Sequence, residues 1–210
     1  MKDQIEKLGI IGAGQMGTGI AQVALGRGFT VQLSDCSEDA LSRARALIDK
    51  GFAKWVEKSK MDAGQAEQAL GRLTLLHELE ALQSAEMVIE AASEQEALKL
   101  DLFCRLSNIC SPDCILATNT SSVPVTRIAS VVDGPHRVIG MHFMNPVPLM
   151  QLVEVIRALQ SDDATTQTVC AVAKRLGKTP VEVKDGFGFV ANRILLPMIN
   201  EAIYVRYEQL

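Results

Sequence analysis

The sequence predicts an α/β fold, a doubly wound and mostly parallel sheet covered by helices on both faces. Three observations carry this reading. The apolar run Leu8-Gly9-Ile10-Ile11 meets the turn Gly12-Ala13-Gly14-Gln15-Met16-Gly17, then an amphipathic segment, then a second apolar run from Thr30 to Ser34. This is a strand, glycine turn, helix and strand within one βαβ unit of about 30 residues. Strand-like and helix-like segments then alternate with no internal repeat or low-complexity linker, as a parallel sheet requires. With 210 residues and 48% hydrophobic content the chain can bury the core of one full domain with a short remainder.

In the first unit the residue types follow from the work each has to do. Gly12 turns the chain sharply out of the first strand, Gly14 lacks the Cβ that would keep a pyrophosphate away, and Gly17 allows close helix packing. A diphosphate would sit on the positive end of the helix that starts beside Gln15 and Met16, so the turn reads as a Rossmann-type dinucleotide site. Asp35 follows the second strand, where a carboxylate accepts hydrogen bonds from the adenosine ribose and repels an added 2′-phosphate, favouring NAD over NADP. The competing reading of Asp35 is a cap for the helix that begins near Ser37.

The remaining elements follow in order. A long helix runs from Glu38 to about Lys60, and a short one from Asp62 to Gly71. Leu73 to Leu76 is a short strand and Glu86 to Glu90 a better one. A helix from Glu94 to Cys110 leads into a strand from Cys114 to Thr118, and Pro124 opens a brief helix within Val123 to Val132. Strands at Arg137 to His142 and Gln151 to Ile156 precede a helix from Asp162 to Leu176 and a strand from Pro180 to Val183.

Composition narrows the function classes. A net charge of −4 argues against a nucleic-acid partner. The charged start from Met1 to Lys7 runs straight into the first strand, so neither a secretory signal nor a transit peptide is expected, and the expected location is cytoplasmic. The longest uncharged stretches are too short to span a membrane. The five cysteines form no CxxC pair and have no histidine at ligand spacing, so no metal is expected and the thiols read as small buried side chains in a reducing compartment.

Ligands on such sheets bind at the carboxyl ends of the strands. That rule selects Thr118-Asn119-Thr120-Ser121-Ser122 and Met141-His142-Phe143-Met144-Asn145-Pro146, which should converge on the nicotinamide. Of the three histidines, only His142 falls where a cofactor ring would lie; His77 reads as a surface residue and His136 as part of a turn. Glu154 sits inside the apolar strand Leu152 to Ile156, where an acid is costly unless paired, and an imidazole is a natural partner. A purely structural ion pair is the alternative.

Six ordered motifs make the chain resemble the NAD-binding domain of the L-3-hydroxyacyl-CoA dehydrogenase family, including 3-hydroxybutyryl-CoA dehydrogenases. They are Gly12 to Ala21, Val88-Ile89-Glu90-Ala91, Asn119 to Ser122, Gly140 to Pro146, Leu152 to Val155, and Gly188-Phe189-Val190-x-Asn192-Arg193. The resemblance implies NAD-dependent oxidation of an L-3-hydroxyacyl-CoA to the 3-ketoacyl-CoA. His142 would be the general base, oriented by Glu154. Ser121 would bond the reacting oxygen beside the nicotinamide, and Asn192 the substrate carbonyl region. Glu94, Lys99 and Asn145 match cofactor-contacting positions, although Glu94 at the first turn of a helix has an ordinary dipole explanation. Lys58 matches a position that meets coenzyme A. It shares one helical face with Lys50 and Lys54, which could equally be a solvated face. Related hydroxy-acid dehydrogenases, such as those acting on sugar acids, and non-catalytic NAD-binding proteins are the alternatives in function.

The chain has Phe187 where the family usually has a proline before Gly188-Phe189, which removes a rigid φ and is expected to hold Asn192 less firmly. The resemblance also divides the chain into residues 1–188, the Rossmann domain, and 189–210, the first helix of a truncated all-helical domain that forms the family's homodimer. Ile194, Leu195, Ile199, Ala202 and Ile203 recur there at helical spacing, an apolar stripe through which this form is expected to self-associate, with little or no activity of its own.

Overall fold

The centre of the fold is a set of strands buried on both faces. In β1 (Lys7–Ile11), β4 (Met87–Glu90), β5 (Ile115–Thr118) and β6 (Val138–Phe143) nearly every residue is buried, which is why these segments read as unbroken apolar runs. The remaining strands are β2 (Thr30–Ser34), β3 (Leu73–Leu76), β7 (Leu152–Arg157) and β8 (Thr179–Lys184). The computed structural model describes residues 5–210, so the expectation about a leader at Met1 to Gln4 lies outside the described residues.

The eight strands form one sheet in the order β3-β2-β1-β4-β5-β6-β7-β8. All neighbours are parallel except β6 and β7. Only eight residues separate β6 from β7, too few for the crossover that a parallel pair needs. The chain therefore reverses there, and this reversal sets His142 directly opposite Glu154.

The helices are α1 (Gln15–Gly26), α2 (Glu38–Glu57), α3 (Ala63–Gly71), α4 (Glu96–Ile109), α5 (Val125–Ala129), α6 (Asp163–Arg175) and α7 (Ala191–Tyr207). Strand side chains alternate between the faces. Leu8, Ile10, Ile89, Ala117 and Met141 join one cluster with Phe29, Ile48 and Val169, while Val88, Leu116 and Val138 join the other with Phe103, Leu106 and Ile128. The helix starts are locally specified: Ser37 accepts from the Ala40 amide, Asp62 and Gln65 form a capping box, and Asp162 accepts from the Thr165 amide.

Most element ends lie within a residue or two of the sequence expectation, and the larger differences are these. The long helix ends at Glu57, with Lys58 at its cap; α4 starts at Glu96; Leu79–Ser84 and Pro135–Arg137 are short 3-10 turns. The start of α4 has a definite cause. Glu94, placed by sequence in a helical first turn, instead belongs to the loop, where its carboxylate accepts bonds from a distant segment. At the other end of the chain α7 has no buried residue, and Ile194, Leu195, Ile199 and Ile203 are exposed. Among the described residues no helix is long and apolar enough to cross a membrane.

The glycine turn gives a contrast that separates folding from binding. A Cβ on Gly17 would lie 1.8 Å from the carbonyl oxygen of Gly12, whereas one on Gly14 meets nothing within 4 Å. Gly17→Ala is therefore expected to destabilise the fold by about 3 kcal/mol or more, and Gly14→Ala to leave it nearly unchanged. Urea unfolding of the two variants checks this; equal stabilities would contradict the packing of α1 on β1.

Candidate active site

Between the carboxyl ends of β1 and β4, where the chain direction of the sheet's windings reverses, lies a cleft of about 1340 Å³. Gly12, Ala13, Gly14 and Gln15 form its floor and Asp35 one wall. Gly12 has φ of +97°, and an added Cβ would lie 2.5 Å from the Ala91 carbonyl, so only glycine suits the crossing of the two strand ends. Gly14 is the N-cap of α1; no side chain caps this helix and its first turn has no acid. Open space at Gly14 together with uncapped amides makes a cradle that fits a diphosphate.

Asp35 resolves into a role that neither sequence reading anticipated in full. Ser37, not Asp35, caps α2. The Asp35 carboxylate accepts from the Ala13 amide at 2.7 Å and from the Ser37 amide at 2.9 Å, bracing the glycine turn from the second strand. It still lines the cleft, and a carboxylate retains lone pairs for ribose hydroxyls. Lys50, Lys54 and Lys58 line the same cleft together with Trp55, so the lysine face is turned toward the ligand space.

Asn145 also lines the cleft, while Ser121, His142 and Asn192 lie outside its walls. Their elements are tied together by hydrogen bonds: the Asn119 side chain accepts from the Phe143 amide at 2.9 Å, joining the loop after β5 to the end of β6. His142 and Glu154 face each other across the antiparallel ladder, both buried, with His142 Nδ1 2.9 Å from Glu154 Oε2. The other carboxylate oxygen, Oε1, accepts from the amides of Val190 and Ala191 at 3.0 and 2.9 Å. These amides stand immediately before Asn192, so the segment with Phe187 in place of proline is anchored from β7 instead.

A second acidic group orders the Ser121 loop. Glu94 Oε1 accepts from the Ser121 amide at 2.9 Å, the Ser122 amide at 3.0 Å and the Ser122 hydroxyl at 2.8 Å, and also from the Thr120 hydroxyl. Its Oε2 lies 3.2 Å from the Lys99 ammonium. Burial alone would raise the Glu94 pKa, but the Thr120 hydroxyl, the Lys99 charge and the Ser122 and Ser121 donors outweigh it and lower it from 4.5 to about 2. Lys99 is only 1% exposed and pairs with Glu90 at 2.7 Å as well as with Glu94. The two carboxylates enclose the ammonium, so Lys99 supports Glu94 from within the fold. Glu90 is fully buried and also accepts from the Ala92 amide and the Thr118 hydroxyl. Sequence reasoning named Glu90 within a strand and a motif but gave it no role, although an acid closing the buried run Met87-Val88-Ile89 was a visible signal.

The family model described as the NAD binding domain of 3-hydroxyacyl-CoA dehydrogenase matches residues 7–186. The chain is 48% identical over 205 residues to a probable 3-hydroxybutyryl-CoA dehydrogenase of Bacillus subtilis, covering 98% of this chain and 71% of that protein. It is 46% identical to the 3-hydroxybutyryl-CoA dehydrogenase of Bradyrhizobium diazoefficiens, covering 97% and 70%. The chain belongs to the 3-hydroxyacyl-CoA dehydrogenase family. The crystal structure of (S)-3-hydroxybutyryl-CoA dehydrogenase from Ralstonia eutropha superposes with a TM-score of 0.95 at 42% identity, over 98% of this chain and 73% of that one. Within the 3-hydroxyacyl-CoA dehydrogenase family the matched region is the part that binds NAD, which fits the cradle at Gly14, and NAD is the cofactor.

The depressed pKa of Glu94 gives a pH signature for this dehydrogenase domain. A carboxylate whose folded pKa is lowered adds stability that is fully present above its unfolded pKa and is lost as pH falls through the folded one. The stability difference between the parent protein and Glu94→Gln should be constant above about pH 5 and should shrink between 4.5 and about 2. Urea titrations at stepped pH measure it; a difference independent of pH would show that Glu94 is not held as described.

Proposed function

We propose that this chain carries the catalytic half of an NAD-dependent L-3-hydroxyacyl-CoA dehydrogenase, with His142 as the general base. The observation that supports it most is the cross-strand pair of His142 and Glu154 within a domain of this family. An imidazole that donates Nδ1–H to Glu154 keeps its Nε2 lone pair free to accept a proton. Nε2 takes the proton of the substrate 3-hydroxyl. NAD, when bound, accepts the hydride that leaves C3. Glu154 then faces an imidazolium and stabilises its charge, and the two amides on Oε1 prevent the carboxylate from rotating away.

Ser121 donates to the reacting oxygen, and Asn192 bonds the acyl carbonyl region. Glu94 holds the Ser121 loop and Asn145 borders the nicotinamide end of the cleft. Lys58, beside Lys54 and Lys50 on the cleft lining, meets a phosphate of coenzyme A. The match to the family domain ends at Gly186 and the helix beyond has no buried residue, which supports reading 189–210 as the start of a helical unit. The apolar stripe of that helix offers a surface for the family's dimer, or for self-association of this form, and a reducing cytoplasm suits the free cysteines. Of these only Cys110 and Cys114 are buried while Cys36 and Cys104 are exposed, against the expectation of buried thiols.

His142→Ala and Glu154→Ala are each expected to lower kcat for acetoacetyl-CoA reduction by roughly 10²- to 10⁴-fold, with NAD affinity little changed. Near-normal turnover in either variant would reduce the pair to a structural one. NAD should also bind more tightly than NADP, because Asp35 otherwise loses ribose hydrogen bonds worth about 1.5–3 kcal/mol each or meets a phosphate charge. Calorimetric titration with both nucleotides decides this, equal affinities counting against Asp35 as the ribose acceptor.

A further inference from the structure

Strand register places His142 opposite Glu154 but does not fix the rotation of the imidazole about its own side-chain bonds. Another group has to do so. The ring of Phe189 lies against that of His142 in an edge-on arrangement, centroids 5.7 Å apart and planes at 60°. Phe189 is buried among the apolar side chains of the α4 and α5 face, the same face toward which His142 and Glu154 point.

The backbone at this position is unusual for its residue type. Phe189 has φ of +49° and follows Gly188 at +72°, so two consecutive residues occupy the left-handed region. Glycine tolerates this; a bulky aromatic does not, and asparagine would be the ordinary choice. A phenylalanine there needs a reason beyond turning the chain. Helix α7, which follows, buries nothing that would supply one. The left-handed pair does have one local result: it turns the amides of Val190 and Ala191 toward Glu154 Oε1. No side chain of its own caps α7, so Glu154 takes that place, and the positive helix end favours its charge.

We propose that Phe189 is a positioning residue for the reaction, its ring setting the rotation of the His142 imidazole while its turn locks Glu154 through two backbone amides. This rests on the reading of His142 as the general base. Both partners of the pair are then held from the segment 188–191, and the base is oriented before substrate arrives.

Asparagine at position 189 keeps the backbone conformation and removes the ring, whereas tyrosine keeps the ring. Imidazole NMR on the 210-residue protein reads the effect, since of its three histidines His77 and His136 are exposed. A downfield, slowly exchanging Nδ1–H bonded to Glu154 is assigned to His142 by its loss in His142→Ala. Phe189→Asn should broaden or abolish this resonance and Phe189→Tyr retain it, with NAD affinity unchanged in both. Introduced into a form that turns over acetoacetyl-CoA, Phe189→Asn should lower kcat about 10- to 100-fold without raising the KM for NADH, and Phe189→Tyr should restore it. Should Phe189→Asn not fold, Phe189→Leu, which keeps apolar bulk without an aromatic ring, carries the same test. A folded ring-less variant with the resonance and kcat of the parent overturns the proposal. If His142→Ala keeps turnover while the ring-less variant still moves the resonance, the base assignment fails and the positioning contact stands.

Discussion

The buried carboxylate of Glu154 is the interaction on which the chemical end of the molecule depends. An acid in the middle of a sheet is stable only if its charge is met by donors. Here three donors come from two different elements, the imidazole of β6 and two amides at the start of α7. Because β6 and β7 are antiparallel, the pair is a directly opposed cross-strand neighbour pair, the closest side-chain relation a sheet offers. Removing the carboxylate would free the ring, uncap α7 and loosen the segment that leads to Asn192 in one step.

The same physics is repeated one strand pair away. Glu90, Lys99 and Glu94 form a chain of charges in which the fully buried acid and ammonium satisfy each other and the outermost carboxylate faces the loop with Ser121. Thr118 at the end of β5 donates to Glu90, so the strand that carries the loop and the acid that anchors its lysine are themselves joined. Two compensated acidic systems thus flank the carboxyl end of the sheet: the buried Glu154 holds the segment before Asn192, and Glu94, itself exposed but backed by the buried Lys99, holds the Ser121 loop. Hydrogen-bonded buried charges are rigid in a way that solvated ones are not, since any motion exposes an uncompensated charge.

The cofactor half relies less on charge and more on the absence of side chains. Gly12 and Gly17 make backbone contacts that a Cβ would prevent, Gly14 leaves open space, and Asp35 closes the turn from behind. Where a diphosphate has to approach the backbone, space and unpaired amides are the functional groups. The glycine turn and the lysines Lys50, Lys54 and Lys58 line the same cleft, so its lining offers backbone amides in one part and positive charge in another.

Much of this was legible in the chain. The first βαβ unit, the order of strands and helices, and the candidates His142 and Glu154 follow from glycine spacing, periodicity and an acid in an apolar run, all of which are local. Ser121, Asn192 and Lys58 were legible only through resemblance, because serine, asparagine and lysine in such places have ordinary explanations as turn, cap and surface. Tertiary structure alone decided the rest: Glu94 left the helix for a loop from β5, Lys99 went inside between two acids, Asp35 braced the glycine turn, and Phe189 came to rest on His142. Each of these depends on partners 9 to 47 positions away in the chain. Periodicity reports which face a residue occupies, but the choice among partners on that face is made by the sheet order, and sheet order is a property of the whole folded chain.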